Sequence, residues 1–252
     1  MKRFEGAMTV VSGAASGLGR DVAIALVREG AARVALMDVD ADGLNQTAEL
    51  VGPAAQVIVC DVAEPDQVAS AWRQVEAQGL DVLMTAAGVI GPGADIEHCT
   101  VKDWDRIFDI NVRGTFLMIQ HALPLLRRSK GCIVTFGSTA GLAGSAVLGV
   151  YSASKGAITL LTRSVALAYA AEGIRANCVC PGSIDSPMLQ ATFDAAGDAQ
   201  ASLARKKAYL ARYPLGRFGL AHEVTEAALF LASPGASYLT GVALPVDGGR
   251  LA

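Results

Sequence analysis

Thr9-Val-Val-Ser12-Gly13-Ala-Ala-Ser16-Gly17-Leu18-Gly19 is a β-branched run that breaks into three glycines and then into an amphipathic stretch reaching Glu29. It reads as strand, loop and helix: Thr9 to Val11, then the glycines, then Gly17 to Glu29 with Gly30 as the cap. Glycines at 13, 17 and 19 leave the backbone bare where strand meets helix, so a phosphate can reach the N–H groups at the helix N-terminus. A tight turn explains such a cluster equally simply. The next unit shifts the balance. Arg33 to Met37 reads as a second strand and ends on Asp38, 19 residues beyond Gly19, where a carboxylate can take the ribose hydroxyls of an adenosine. The plainer role for Asp38 is a helix N-cap or solvated turn, since Asp40 and Asp42 stand beside it.

The same alternation continues to the end of the chain. Helix 41–51 leads to strand 56–60, helix 65–78 to strand 81–85, and a long helix 101–128, kinked near Pro124, to strand 132–136. The helix that begins near Tyr151 and runs to about 171, strand 175–179, a helix near 223–231 and strand 242–245 complete the series. Short apolar strands alternating with amphipathic helices specify βαβ units. Right-handed crossovers then give a doubly wound parallel sheet of about seven strands, with helices on both faces and ligands at the carboxyl ends of the strands. No repeat, linker or low-complexity tract interrupts residues 1–252, which predicts one domain.

Ser138 closes the fifth strand, and Tyr151-Ser-Ala-Ser-Lys155 opens the following helix. Tyr151 and Lys155, four apart, share a helix face. A free phenol, with a pKa of about 10, is a poor acid-base catalyst near neutrality. An ammonium about 4 Å away, at an effective dielectric near 20, is worth roughly 4 kcal/mol, enough to bring it down to roughly 7. Ser138 supplies a hydroxyl that can hold a substrate oxygen beside it. The set suits proton exchange with a carbinol.

Composition bounds the answer independently. The 252 residues, 52% hydrophobic, suffice for a sizeable core, and a net charge of −3 advertises neither nucleic acid nor anionic membrane as a partner. The five cysteines are odd in number and without metal or disulfide spacing, so reduced, mostly buried thiols are expected. Lys2 and Arg3 are followed by Glu5 and by an apolar run that ends in the glycine loop, which is not a signal peptide. Residues 131–154 carry no charged side chain but hold five glycines, so they read as strand, loop and helix start rather than a membrane span. A cytoplasmic protein acting on a small molecule is the expectation.

Ser12-Gly13-x3-Gly17-x-Gly19, Asp61-Val62, Ala86-Ala-Gly88, Asn111, Ser138, Tyr151-x3-Lys155 and Pro181-Gly182, in this order and spacing, resemble the short-chain dehydrogenases/reductases almost end to end. The resemblance implies hydride transfer between a secondary carbinol and a nicotinamide. In that scheme Tyr151 exchanges the proton, Ser138 orients the oxygen, and Lys155 lowers the phenol pKa and holds the nicotinamide ribose. Asn111 would hold a water linking the lysine to solvent; its plainer role is a polar side chain bonded within the helix. The implied cofactor contacts are Gly13, Ser16, Gly17, Leu18, Gly19, Asp38, Asp61, Val62, Ala86, Gly88, Tyr151, Lys155, Pro181, Gly182, Ile184 and Ser186. About 183–213 resembles a substrate lid. Two positions depart from the family: Thr85 stands where asparagine is usual and Ser12 where threonine is, which bears on packing near the central strand more than on chemistry.

Asp38 would repel a 2′-phosphate, and neither Ser16 nor Val39 supplies a cation, so NAD(H) is expected; Arg20 is the one nearby cation against it. The expected pocket, with Ser138 and Tyr151 at its base, is lined by Ala140, Leu142, Leu148, Met188 and Leu189, with Ala143, Val147 and Phe193 nearby. It predicts an alicyclic, aromatic or terpenoid alcohol rather than a sugar or hydroxy acid. An NADPH-dependent ketoreductase of carrier-protein thioesters is the alternative, disfavoured by Asp38 and the acidic pI of about 5.6. A non-catalytic nucleotide sensor is disfavoured by the intact catalytic set. A mean hydropathy of +0.39 and apolar helices around 108–126 and 158–169 lead, with the resemblance, to a homotetramer.

Overall fold

The computed structural model describes residues 2–75, 79–194 and 197–252. Seven strands, β1 (Met8–Ser12), β2 (Arg33–Asp38), β3 (Ala55–Val59), β4 (Val82–Thr85), β5 (Cys132–Phe136), β6 (Arg175–Pro181) and β7 (Ala243–Val246), form one sheet. Their order is β3-β2-β1-β4-β5-β6-β7 and every pairing is parallel.

Sheet faces follow the period of two along each strand. Val11, Leu36, Met84 and Val134 point to one face, under α1 (Gly17–Arg28), α2 (Ala41–Val51) and the late helix α10 (Ala221–Ala232), through Val22, Leu26, Leu44 and Leu229. Val10, Met37, Leu83 and Ile133 point to the other. There α3 (Pro65–Arg73), α5 (Gly114–Ser129) and α7 (Gly149–Tyr169) cover them with Trp72, Met118, Leu125 and Val165. All of these are almost fully buried, each contributing about 1.5–3 kcal/mol of transfer free energy. Burial on both faces is why the central strands read as unbroken apolar runs.

The elements agree with the sequence-derived ones to within a few residues, with informative exceptions. The expected end of α3 at Gln78 falls partly on residues 76–78, outside the described residues, and its regular helix stops at Arg73. Pro124 does not end the long helix, which continues through it to Ser129. Its break falls earlier: α4 (Val101–Phe108) passes through a wide π turn, Asp109–Arg113, before α5 begins. Gly114, at the start of α5, lets the helix pass close to Val62, where a Cβ would stand 2.7 Å from the Val62 side chain. The lid carries two further helices, α8 (Pro187–Asp194) and α9 (Ala199–Leu210), the latter capped by the Asp198 carboxylate on the Ala201 N–H at 2.8 Å. A four-residue helical turn, α6 (Ala140–Ala143), follows Ser138.

Candidate active site

Between β1 and β4 the order of the sheet reverses, which opens a crevice at the carboxyl ends of the strands. One cavity of about 710 Å³ occupies it, and every cofactor position anticipated from the sequence lines that cavity, from Gly13 and Asp38 to Ile184 and Ser186. The three loop glycines do different work. Gly13 (φ +73°) passes so close to the Ala86–Ala87 segment that a Cβ would sit 2.5 Å from the Ala87 nitrogen. A Cβ on Gly19 would run into the Gly13 carbonyl. Gly17 (φ +53°) faces open space at the start of α1, where a phosphate can approach the helix N-terminus.

Asp38 is not the N-cap of α2; Asp40 is, accepting from the Gly43 N–H at 3.0 Å. The Asp38 carboxylate instead receives the N–H groups of Ala15 and Asp40, each at 3.1 Å, and so pins the glycine loop to the tip of β2 while facing the cavity. Arg20 turns toward α2, bonding Thr47 Oγ1 at 2.9 Å, Gly43 and Gln46 at 3.2 Å, and the Ala15 carbonyl. The residue is outside the cavity lining. Asp61 holds the turn after β3 through the Ala63 N–H at 2.9 Å. Ser12 keeps its hydroxyl within 3.5 Å of the Ala87 N–H, whereas the buried Thr85 hydroxyl has no hydrogen-bond partner among the described residues.

At the other end of the cavity Ser138, Tyr151 and Lys155 meet. Gly137 and Thr139 donate to the carbonyls of Val179 (2.8 Å) and Pro181 (3.0 Å), tying the end of β5 to β6 and fixing Ser138 between them. Ser138 Oγ accepts from the Ala140 N–H at 3.1 Å. Lys155, nearly fully buried on α7, donates to the Phe136 carbonyl at 2.8 Å and stands 5.7 Å from the Tyr151 ring centroid. Burial lowers its pKa to about 8, with the neighbouring Cys178 and Cys180 thiols acting weakly in the other sense. The expected depression of the Tyr151 pKa is not what the isolated chain shows. Burial pushes the phenol above its ordinary value, the Ser138 side chain opposing this and the Cys180 sulfur adding to it, while the ammonium donates to the Phe136 carbonyl.

Asn111 sits buried in the π turn, outside the cavity lining. Its Nδ2 donates to the Val89 carbonyl (2.9 Å) and to Ser154 Oγ (3.0 Å), and its Oδ1 accepts the Val89 N–H at 2.8 Å. Ser154 in turn donates to the Tyr151 carbonyl at 2.8 Å. Asn111 thus fastens the segment following Gly88 to the helix of Tyr151, and a Cβ at Gly88 would stand 3.2 Å from its Oδ1 and 3.3 Å from Lys155 Nζ.

Of the expected substrate contacts, Ser138, Ala140, Leu148, Tyr151 and Leu189 line the cavity. Leu142 does not: α6 turns Ala140 inward and leaves Leu142 exposed. Phe193 is buried in an aromatic cluster with Tyr209 and Phe218, at ring separations of 5.5 and 5.7 Å. The Met188 side chain lies outside the described residues. Sequence reasoning missed Tyr209, Tyr213 and Arg250, and left Arg212 as a lid charge; all four line the cavity. Arg250 could have been found, since it directly follows Gly248-Gly249 at the carboxyl end of the last strand, where ligand residues belong. All five cysteines are free. Among the described residues no cluster fit for a metal occurs, and no helix is long and apolar enough to cross a membrane.

Comparison with known proteins bears on this geometry. A family model described as enoyl-(acyl carrier protein) reductase, of the short-chain dehydrogenases/reductases, matches residues 13–250. The 2-(S)-hydroxypropyl-CoM dehydrogenase 3 of Xanthobacter autotrophicus is 38% identical over 256 residues, covering 99% of this chain and 98% of that protein. The cis-4-hydroxycyclohexanecarboxylate dehydrogenase of Sinomonas cyclohexanicum is 38% identical over 255 residues, covering 99% and 98%. The crystal structure of levodione reductase superposes with a TM-score of 0.93 at 30% identity, covering 98% of both chains. With its seven-stranded parallel sheet and with Tyr151, Lys155 and Ser138 gathered at one crevice, the chain belongs to the short-chain dehydrogenase/reductase family.

Proposed function

We propose that this oxidoreductase interconverts a secondary alcohol and its ketone with NAD(H). The observation that carries the proposal is one cavity holding Asp38 at one end and Ser138, Tyr151 and Lys155 at the other. Gly17 leaves room for the pyrophosphate, Asp38 presents a carboxylate toward the adenosine ribose, and the Ile184–Ser186 loop, held by an Ile184–Gly219 bridge, lies where the carboxamide would be gripped. When bound, the nicotinamide takes the hydride from the carbinol carbon. Ser138 orients the alcohol oxygen and Tyr151 accepts its proton. Lys155 keeps a positive charge beneath the phenol, and Asn111 keeps Val89 and Ser154 in register around that lysine. A cationic oxidised nicotinamide held in this cavity would supply a positive charge against the burial that raises the Tyr151 phenol pKa.

Cofactor choice rests on charge. A 2′-phosphate would meet Asp38, and Arg20, the nearest cation, is spent on carbonyls of the loop and α2. The substrate body is apolar where Ala140, Leu148 and Leu189 line the cavity. A homotetramer is proposed on the exposed Trp104, Phe116, Leu160 and Leu167 of α4, α5 and α7, together with the family resemblance. Initial rates for a panel of secondary alcohols with NAD and with NADP, at alkaline pH, test the whole reading. It fails if no secondary alcohol is turned over with either nucleotide, and its cofactor half fails if NADP is preferred.

A further inference from the structure

Resting on the alcohol–ketone reading above, we propose that the substrate carries an acid group, a carboxylate or comparable anion, held by Arg212 and Arg250. Arg250, in the turn after β7, is half-buried and donates through Nη1 to Thr139 Oγ1 at 2.6 Å. Thr139 is itself buried and directly follows the catalytic Ser138. Arg212 leaves α9 with its guanidinium 4.9 Å above the Tyr209 ring. Both arginines line the reaction cavity. They also arrive from one seam: Leu215 donates to the Gly248 carbonyl at 3.2 Å, and Gly249 lies so close to Pro214 that a Cβ there would be 3.1 Å from its ring. Tyr213 locks that seam to the cavity wall, its hydroxyl donating to Ser183 Oγ (2.6 Å) and accepting the Ser183 N–H (2.7 Å).

Neither of these two cavity-lining cations is held by a carboxylate. Arg3, Arg113 and Arg217 each have a carboxylate within 3.0 Å, and Arg127 has one at 2.5 Å. Among the described residues Arg212 and Arg250 form no ion pair. The acids that do line the cavity, Asp38 and Asp61, stand at the ends of β2 and β3, with their oxygens engaged by Ala15, Asp40 and Ala63. Among the described residues lining the cavity no acid stands beside Ser138, and the nearby Asp247 carboxylate, behind the lining, is taken up by the Gly249 and Leu251 N–H groups. Guanidinium groups facing a partly dehydrated cavity favour an anion through charge-assisted, often paired hydrogen bonds. With an apolar wall beside them, the geometry fits a hydroxy acid with a short alicyclic or aliphatic body, in place of the wholly apolar alcohol expected from the sequence.

The cofactor pyrophosphate is the other anion that could answer to these arginines. It belongs with Gly17 at the end of β1, however, whereas Arg250 is anchored beside Ser138 at the end of β5. The test uses binding, so that it does not depend on turnover. Cyclohexanecarboxylate and its neutral amide are titrated calorimetrically into the protein saturated with NADH, for the wild type and for Arg212→Gln and Arg250→Gln. NADH affinity is measured for all three. The acid should bind at least about tenfold more tightly than the amide, and each substitution should collapse that ratio toward one. Equal binding of acid and amide by the wild type overturns the proposal, as does an unchanged ratio in both variants. A loss of NADH affinity as large as the loss of acid affinity also overturns it, by giving the arginines to the cofactor phosphates. Failure of the alcohol–ketone reading would show separately, as absent turnover in a protein that still prefers the acid.

Discussion

Lys155 donates to the Phe136 carbonyl at 2.8 Å from a site almost closed to solvent, so the helix of Tyr151 is tied to the strand of Ser138 through a charge that burial disfavours. Its pKa falls from 10.5 to about 8, a shift that corresponds to about 3 kcal/mol. The charged form bears that cost in full below pH 8. Between about 8 and 10.5 the unfolded chain keeps a proton that the folded chain has lost, so stability rises with pH and the cost disappears. Lys155→Met should therefore be more stable than the wild type at pH 7, by about 1–3 kcal/mol once the lost hydrogen bond is subtracted. The gap should close by pH 10.5. Urea denaturation at both values measures it, and a gap independent of pH would mean that the ammonium is not buried.

Tyr151→Phe removes the oxygen proposed to exchange the carbinol proton. Turnover should fall by about two to four orders of magnitude, while NADH affinity by fluorescence titration changes far less. Residual activity within tenfold of the wild type would remove Tyr151 from the proton path.

Asp38→Asn is nearly isosteric and deletes the charge, keeping one of the two backbone N–H bonds because its amide nitrogen cannot accept the other. NAD should lose about one to two decades in kcat/KM, since a charged hydrogen bond is worth about 1.5–3 kcal/mol, and NADP should gain. Adding Val39→Arg to Asp38→Ala should carry the ratio further. A folding defect would lower both efficiencies together, so an unchanged ratio is the result that counts against the ribose role.

Gly17→Ala and Gly19→Ala separate ligand space from packing. Position 17 has room for a methyl group at a positive φ, so the variant should fold, with about 1 kcal/mol of strain, and lose affinity for NADH. A methyl group at position 19 meets the Gly13 carbonyl, so that variant should lose stability as well. Thermal melts beside NADH titrations distinguish the two.

Light scattering at micromolar concentration should report four copies of the chain. Replacing Leu167, 84% exposed on α7, with Glu should shift the assembly toward smaller species; a monomeric wild type would contradict the proposed oligomer.

The fold was legible because each βαβ unit declares itself locally. Val10 and Val11 must serve opposite faces, and Gly13 and Asp38 punctuate the strand ends. Ser138, Tyr151 and Lys155 were legible because helical spacing and a strand end place them without reference to distant segments. The direction of the Tyr151 pKa shift was not: it is set by how deeply the folded chain buries the phenol, which helical spacing does not encode. Arg250 was missed for a similar reason. Its place in the cavity depends on a turn after the final strand swinging onto Thr139, 111 positions earlier in the chain, which no local period encodes.

The π turn at Asp109–Arg113 holds one residue more than an α-helical turn would. Removing a single residue there would let α4 and α5 join into one regular helix, satisfying the local backbone better than the native chain does. It would also rotate everything on one side by about 100° relative to the other. Asn111 would swing away from Val89 and Ser154, or the Trp104–Phe108 stack would leave its present azimuth. A one-codon deletion in this stretch would thus be tolerated as secondary structure and rejected as an enzyme, so the extra residue in the helix should be among the least dispensable in the gene.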